Sequence, residues 1–179
     1  ILRLIKLFHD CSWELKQNVE FVALTDKSYS FLEGEIISTL GERIAQSDYF
    51  NALIRKTIPY SQATGYEFKG KLHMVGALAR MNLNFKSLNA RTREDVQQFL
   101  AAFPSQNIFH NNLAQSIEML HAVDSSIDLI NTYRESAETY TKPEYKKSTG
   151  TASIEAPRGT LLHRLEIDIQ GKIKKADIV

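Results

Sequence analysis

Thr149-Gly150-Thr151-Ala152-Ser153-Ile154-Glu155-Ala156-Pro157-Arg158-Gly159-Thr160-Leu161-Leu162-His163 joins an approach of small residues to a proline-fixed arginine, a glycine and a histidine behind two leucines. Pro157 holds its own φ near about −65° and biases Ala156 toward extended backbone, so the chain enters Arg158 with little freedom. Gly159 then lets it turn away without a Cβ clash. The expected product is a guanidinium on a stiff backbone, its planar fork able to donate to an anionic acceptor. The same residues also fit a plain turn in which Arg158 pairs with Glu155 at the surface, a contact worth about 0–1 kcal/mol. Spacing alone leaves both open. Thr149 to Ser153 reads as a flexible approach loop, and His163 as buried.

Outward from this stretch, composition bounds the rest. The 179 residues, 43% of them hydrophobic, suffice for one soluble domain with a real core. The chain starts at Ile1 rather than Met, so it is expected to be a piece of something longer. A net charge of +1 without a dense basic run gives a nucleic-acid partner no electrostatic support. Apolar runs are short and broken by charged residues, so no membrane span is expected. The single cysteine, Cys11, excludes an internal disulfide and suits a reducing compartment; beside Leu7, Phe8 and Trp13 it reads as a core residue.

In order along the chain, Leu4, Ile5, Leu7, Phe8, Cys11 and Leu15 predict a helix from Ile1 to about Gln17. Val19 to Leu24 is strand-like or a continuation of it, and Asp26-Lys27-Ser28 is a turn. Tyr29 to Gly41 reads as loop and short strand. Ser47 can cap a helix carrying Tyr49, Phe50, Leu53, Ile54 and Ile58 and stopped by Pro59. Tyr66 to Val75 predicts a hairpin about Lys69-Gly70-Lys71, with His73 structural. Thr92 caps a short helix to Phe103. Phe109, Leu113, Ile117, Leu120, Val123, Ile127 and Ile130 recur at three and four, predicting a long helix from about Asn107 to Tyr133. Glu118 and His121 on it read as an exposed hydrogen-bonded pair rather than metal ligands. Tyr133 to Lys147 is a solvated helix end and loop, and Leu162 to Val179 a terminal hairpin. Without a repeat or low-complexity linker, residues 1–179 are expected to form a single domain. The fold class is α+β, mainly helical, a long central helix with peripheral β-hairpins.

The block Glu155-Ala156-Pro157-Arg158-Gly159-Thr160-Leu161, closed by His163 and followed by Glu166-Ile167-Asp168 and Gly171-Lys172-Ile173, resembles the late-central segment of the nickel-iron hydrogenase large subunit. Tyr60-Ser61, Gly70-Lys71, Val75-Gly76-Ala77-Leu78-Ala79-Arg80 and Asn82 resemble a second block of it. Asn112 to Glu118 is similar to its long central helix. The resemblance points to the soluble cytoplasmic branch linked to NAD(P) or other soluble carriers. Where that family usually has a second glycine, this chain has Ala152.

The resemblance implies a central excerpt of the large-subunit fold, lying between two terminal Cys-x-x-Cys motifs that hold a nickel-iron centre with carbonyl and cyanide ligands. With one cysteine, the excerpt itself is expected to bind no metal and to be inactive. In the parent, Arg158 is the implied catalytic residue. It would donate to a cyanide nitrogen and fix a positive charge where hydrogen is split. Pro157 and Arg158 would line the site, with Glu155, Gly159 and His163 supporting the motif. The implied partners are a small iron-sulfur subunit together with carrier-linked subunits, and the implied substrate is H2. The alternative is the quinone-site subunit of respiratory complex I, a metal-free scaffold of the same ancestry. It usually puts an acidic residue and another glycine after the arginine-glycine pair, where this chain has Thr160 to His163.

Overall fold

In the computed structural model, residues 1–135, 140 and 143–179 are described. The polar stretch read from Tyr133 to Lys147 therefore falls partly, at residues 136–139 and 141–142, outside the described residues. In chain order the elements are α1 (Leu2–His9), β1 (Glu20–Thr25), β2 (Glu35–Ser38), β3 (Arg43–Ile44), α2 (Tyr49–Ala52), β4 (Leu53–Thr57), β5 (Thr64–Phe68), β6 (His73–Met74), α3 (Ala77–Asn84), α4 (Ala90–Val96), α5 (His110–Thr132), β7 (Ser148–Ala156), β8 (Gly159–Ile167) and β9 (Ile173–Ile178). Helix and strand are mixed, as an α+β class requires.

The strand β1 is the spine. Every residue of it is buried, because it is covered on both faces, and its period of two divides the core. Phe21 and Ala23 pack with α3 and α5 residues such as Leu78, Met81, Leu113 and Ile117. Val22 and Leu24 point the other way, to Tyr49, Phe68 and Leu162. Antiparallel pairing with β2 and parallel pairing with β6 complete a sheet of order β3-β2-β1-β6. A second sheet is the antiparallel meander β7-β8-β9.

The long helix α5 is continuous over the segment that the apolar repeat marked out. Its N-terminal half is buried through Leu113, Ala114, Ile117 and His121, whereas Val123, Ile127 and Ile130 of the same repeat are exposed. The terminal hairpin is also present, as β8 and β9.

Several expectations are corrected. The first helix ends at His9, well short of Gln17. Residues beyond it run extended because Asn107 holds them: its Oδ1 accepts from Leu15 N–H at 3.0 Å and its Nδ2 donates to the Trp13 carbonyl at 2.9 Å. The helix begun near Ser47 is one turn, and Leu53 to Thr57 instead pair antiparallel with β5. There Ile54 and Thr57, stiff at χ1, favour a strand, and cross-strand pairing outweighs a marginal short helix. The turn at Lys69-Gly70 forms, with φ of 48° and 79°, but the return strand leaves to pair with β1 rather than β5. Asn89, not Thr92, caps α4 by accepting from Arg91 N–H. Thr92 is buried and its hydroxyl donates to Asp124. Lastly, the expected approach loop from Thr149 is strand β7, paired with β8 along its full length.

Candidate functional site

The motif around Arg158 is the tip of the β7-β8 hairpin. Ala156 pairs with Gly159, leaving Pro157 and Arg158 as the turn. Proline cannot take the positive φ of the usual two-residue hairpin turns, so the bend is completed at Gly159, with φ of 154°. The tip lies against the start of α3 at very close range. A Cβ on Gly76 would meet the Arg158 carbonyl oxygen at 3.0 Å, and one on Gly159 would meet Val75 Cγ2 at 2.4 Å. Only glycines allow this approach.

One turn further along α3, Arg80 reaches the same hairpin from inside. Its Nε and Nη2 donate to the two carboxylate oxygens of Glu118 on α5, at 2.6 and 2.7 Å. Its Nη1 donates to Glu155 on β7 at 2.6 Å and to the Ala156 carbonyl at 3.1 Å. Arg80, Glu118 and Glu155 are respectively 2%, 7% and 6% exposed, so this is a buried cluster of one cation and two carboxylates. The excess negative charge is met by neutral donors. Tyr29 Oη donates to Glu118 at 2.6 Å, while Leu24 N–H and the Thr160 hydroxyl donate to Glu155 at 2.7 and 2.8 Å. The Phe31 ring lies 5.6 Å from the guanidinium.

Burial by itself opposes the charge on Arg80, but Glu118 and then Glu155 outweigh it and hold its pKa above the ordinary value. Burial, then the Glu118 charge, push the Tyr29 hydroxyl well above its ordinary range, so it remains a donor. Beneath it, His121 Nδ1 accepts from Asn89 N–H at 3.0 Å, which leaves Nε2 to donate to the Tyr29 carbonyl at 3.1 Å. Burial holds His121 neutral by lowering its pKa.

A cleft of about 490 Å³ opens on this cluster, lined by Phe31, Arg80, Glu118, Met119, Glu155 and Pro157 among others. Pro157 is therefore on its rim. Arg158 is exposed and hydrogen-bonds to none of the described residues. The surface pair Arg158–Glu155 does not form; Glu155 turns inward to Arg80 instead. His163 is exposed and contributes through its backbone, paired with Ala152 and Ile178. Glu118 and His121 are buried, each with other partners, not an exposed pair. Sequence reasoning gives Arg80 no role, although the signal is there: an arginine embedded in Ala77-Leu78-Ala79-Arg80-Met81 must be buried with the helix, and a buried guanidinium needs carboxylates.

A nickel-iron centre held by four thiolates does not fit these residues on their own. The chain has one cysteine, and among the described residues no three of His, Cys, Asp and Glu are grouped to hold a metal. No helix among them is long and apolar enough to cross a membrane.

No family model matches the chain. It is 29% identical over 156 residues to the sulfhydrogenase 1 alpha subunit of Pyrococcus furiosus, covering 85% of this chain and 36% of that protein. It is also 29% identical over 152 residues to a vhu subunit of the F420-non-reducing hydrogenase of Methanococcus voltae, covering 83% and 34%. It thus spans about a third of the length of these curated relatives. A crystal structure of an NAD+-reducing [NiFe]-hydrogenase in the H2-reduced state superposes with a TM-score of 0.71 at 21% identity, over 99% of this chain and 42% of that one. The chain is similar to hydrogenase subunits, and its fold is that of the nickel-iron hydrogenase large subunit.

Proposed function

We propose that these 179 residues are one domain, the central part of the catalytic large subunit of a nickel-iron hydrogenase of the soluble, cytoplasmic branch. The parent would catalyse H2 → 2 H⁺ + 2 e⁻ and pass the electrons through a small iron-sulfur subunit to a soluble carrier such as NAD(P). The observation that carries this is convergence. Three stretches that resemble the same family, far apart in sequence, meet where Arg80 joins Glu118 and Glu155 beneath the Pro157-Arg158 tip.

In the parent, cysteines outside these residues would hold the nickel-iron group, which would supply the hydrogen-activating redox chemistry. What this chain contributes is a preset cation. Arg158 stands on a turn packed so closely on Gly76 that a β-carbon there would lie 3.0 Å from its carbonyl oxygen, and a charge placed in advance stabilises developing negative charge with less reorganisation. Thr160 favours this over the complex I alternative. Its hydroxyl donates to Glu155, whereas an acidic residue there would set two carboxylates together in a buried place.

The test is H2-dependent reduction of NAD, NADP or viologen by the full-length protein purified with its companion subunits. Two Cys-x-x-Cys pairs in the parent sequence and hydrogen uptake are expected. A parent without those pairs that binds quinone and takes up no hydrogen would end the proposal in favour of the alternative.

A further inference from the structure

We infer that Arg80 is the positioning residue for Arg158, fixing the hairpin tip from within the core; this rests on Arg158 acting as proposed above. Arg158 has no side-chain anchor of its own among the described residues, so what the fold can fix is the backbone from which its side chain projects. That backbone is gripped immediately upstream. Arg80 holds the Glu155 carboxylate and the Ala156 carbonyl, the two positions before Pro157. The grip is itself anchored, because the other edge of the same guanidinium is clamped bidentately to Glu118 on the longest helix.

Position 80 needs the planar fork. A lysine is a point donor and does not span Glu118, Glu155 and a carbonyl at once. Stability alone does not account for the cluster either. A buried ion pair is commonly replaced by apolar residues without loss, and here one cation is asked to serve two buried carboxylates. What an apolar replacement lacks is direction. Glu155 is also tied by its own N–H to the Phe31 carbonyl, at 2.7 Å, and by Leu24 N–H. Hence the last residues before the turn have one allowed position relative to α3 and α5.

The experiment uses the full-length protein with its companion subunits and compares Arg80→Lys, Arg158→Lys and the double variant. Arg80→Lys is expected to lower kcat for hydrogen oxidation tenfold or more and to leave the KM for the electron acceptor within twofold. It should also speed amide hydrogen exchange at Arg158, Gly159 and Thr160 but not in α5. The double variant should be no slower than Arg158→Lys alone, since Arg80 acts only through Arg158. If Arg80→Lys does not accumulate, Glu155→Gln, which removes the charge at the same contact, carries the same comparison. Unchanged exchange at the tip, or kcat losses that multiply in the double variant, would overturn the inference. A wild type that oxidises no hydrogen would instead count against the proposed function, and the exchange data would still decide whether Arg80 positions the tip.

Discussion

Gly76 and the Arg158 carbonyl approach so closely that a β-carbon on Gly76 would stand 3.0 Å from that oxygen, although 82 positions separate the two residues. Gly76 also has a φ of 99° and a ψ of −165°, a region essentially open to glycine alone, where an L-residue costs about 1–3 kcal/mol. Gly41 is the natural control, with a φ of 89° and nothing near its missing side chain. Gly41→Ala is therefore expected to show the backbone cost alone. Gly76→Ala adds displacement of the Arg158 backbone, so it should lower the melting temperature further and, in the full-length parent proposed above, hydrogen turnover as well. Equal melting temperatures and unchanged turnover in both variants would show that the close approach has no consequence.

Buried and exposed arginines should differ sharply. Arg80→Met leaves Glu118 and Glu155 without their cation in a buried place, and breaking such a pair costs about 3–5 kcal/mol. Arg91 pairs with Asp128 where both side chains are about half exposed, at 47% and 55%, and Arg91→Met should cost only about 0–1 kcal/mol. Chemical denaturation of the two variants checks this. Comparable losses would mean that the buried cluster is no more than a surface pair in its effect.

His121 makes stability depend on pH. Its pKa is lowered by burial, against the opposing influence of the Tyr29 carbonyl, Glu118 and Asp124. The unfolded chain thus takes up a proton before the folded one does. Stability is full above the unfolded value of about 6.5 and is lost as the pH falls through it toward the lower folded value. His73 and His110, also lowered mainly by burial, act in the same direction. His121→Gln retains a donor and an acceptor but does not titrate. Its melting temperature should fall less than that of the wild type between pH 7 and pH 5, and identical slopes would remove His121 from the account.

From its middle onward α5 presents Met119, Val123, Ile127 and Ile130 on one exposed face. Apolar faces of this kind associate. The isolated 179-residue chain is expected to self-associate in sedimentation velocity, and Val123→Glu combined with Ile127→Lys should shift it toward monomer. A wild-type chain that is monomeric at high concentration would count against the prediction.

Some of this was legible in the residues themselves. The repeat from Leu113 to Ile130 marks α5 because a helix needs only a local period and its own backbone hydrogen bonds. The turn at Pro157-Arg158-Gly159 was readable for a similar reason, since proline and glycine act on their own dihedral angles. The hairpin β8-β9 followed from alternation about Gly171. Even here the buried side of α5 was only half visible, because periodicity names an apolar face without saying whether anything in the chain covers it.

Strand partners were not legible in the same way. Leu53 to Thr57 is apolar enough for either a helix or a strand, and only β5 beside it decides. Likewise β6 pairs with β1 across more than fifty intervening positions, where local turn chemistry at Lys69-Gly70 pointed to a simple hairpin.

What the sequence determined by itself was the turn, the long helix and, through three resembling stretches, the fold. What only the tertiary structure decided was the pairing of charges. Glu155 has Arg158 three positions away and Arg80 seventy-five away, and it binds the distant one at 2.6 Å. The reason is burial: Glu155 points from β7 into the core, where an uncompensated carboxylate is costly and only the arginine of α3 can meet it. Arg158, at the turn, is left exposed.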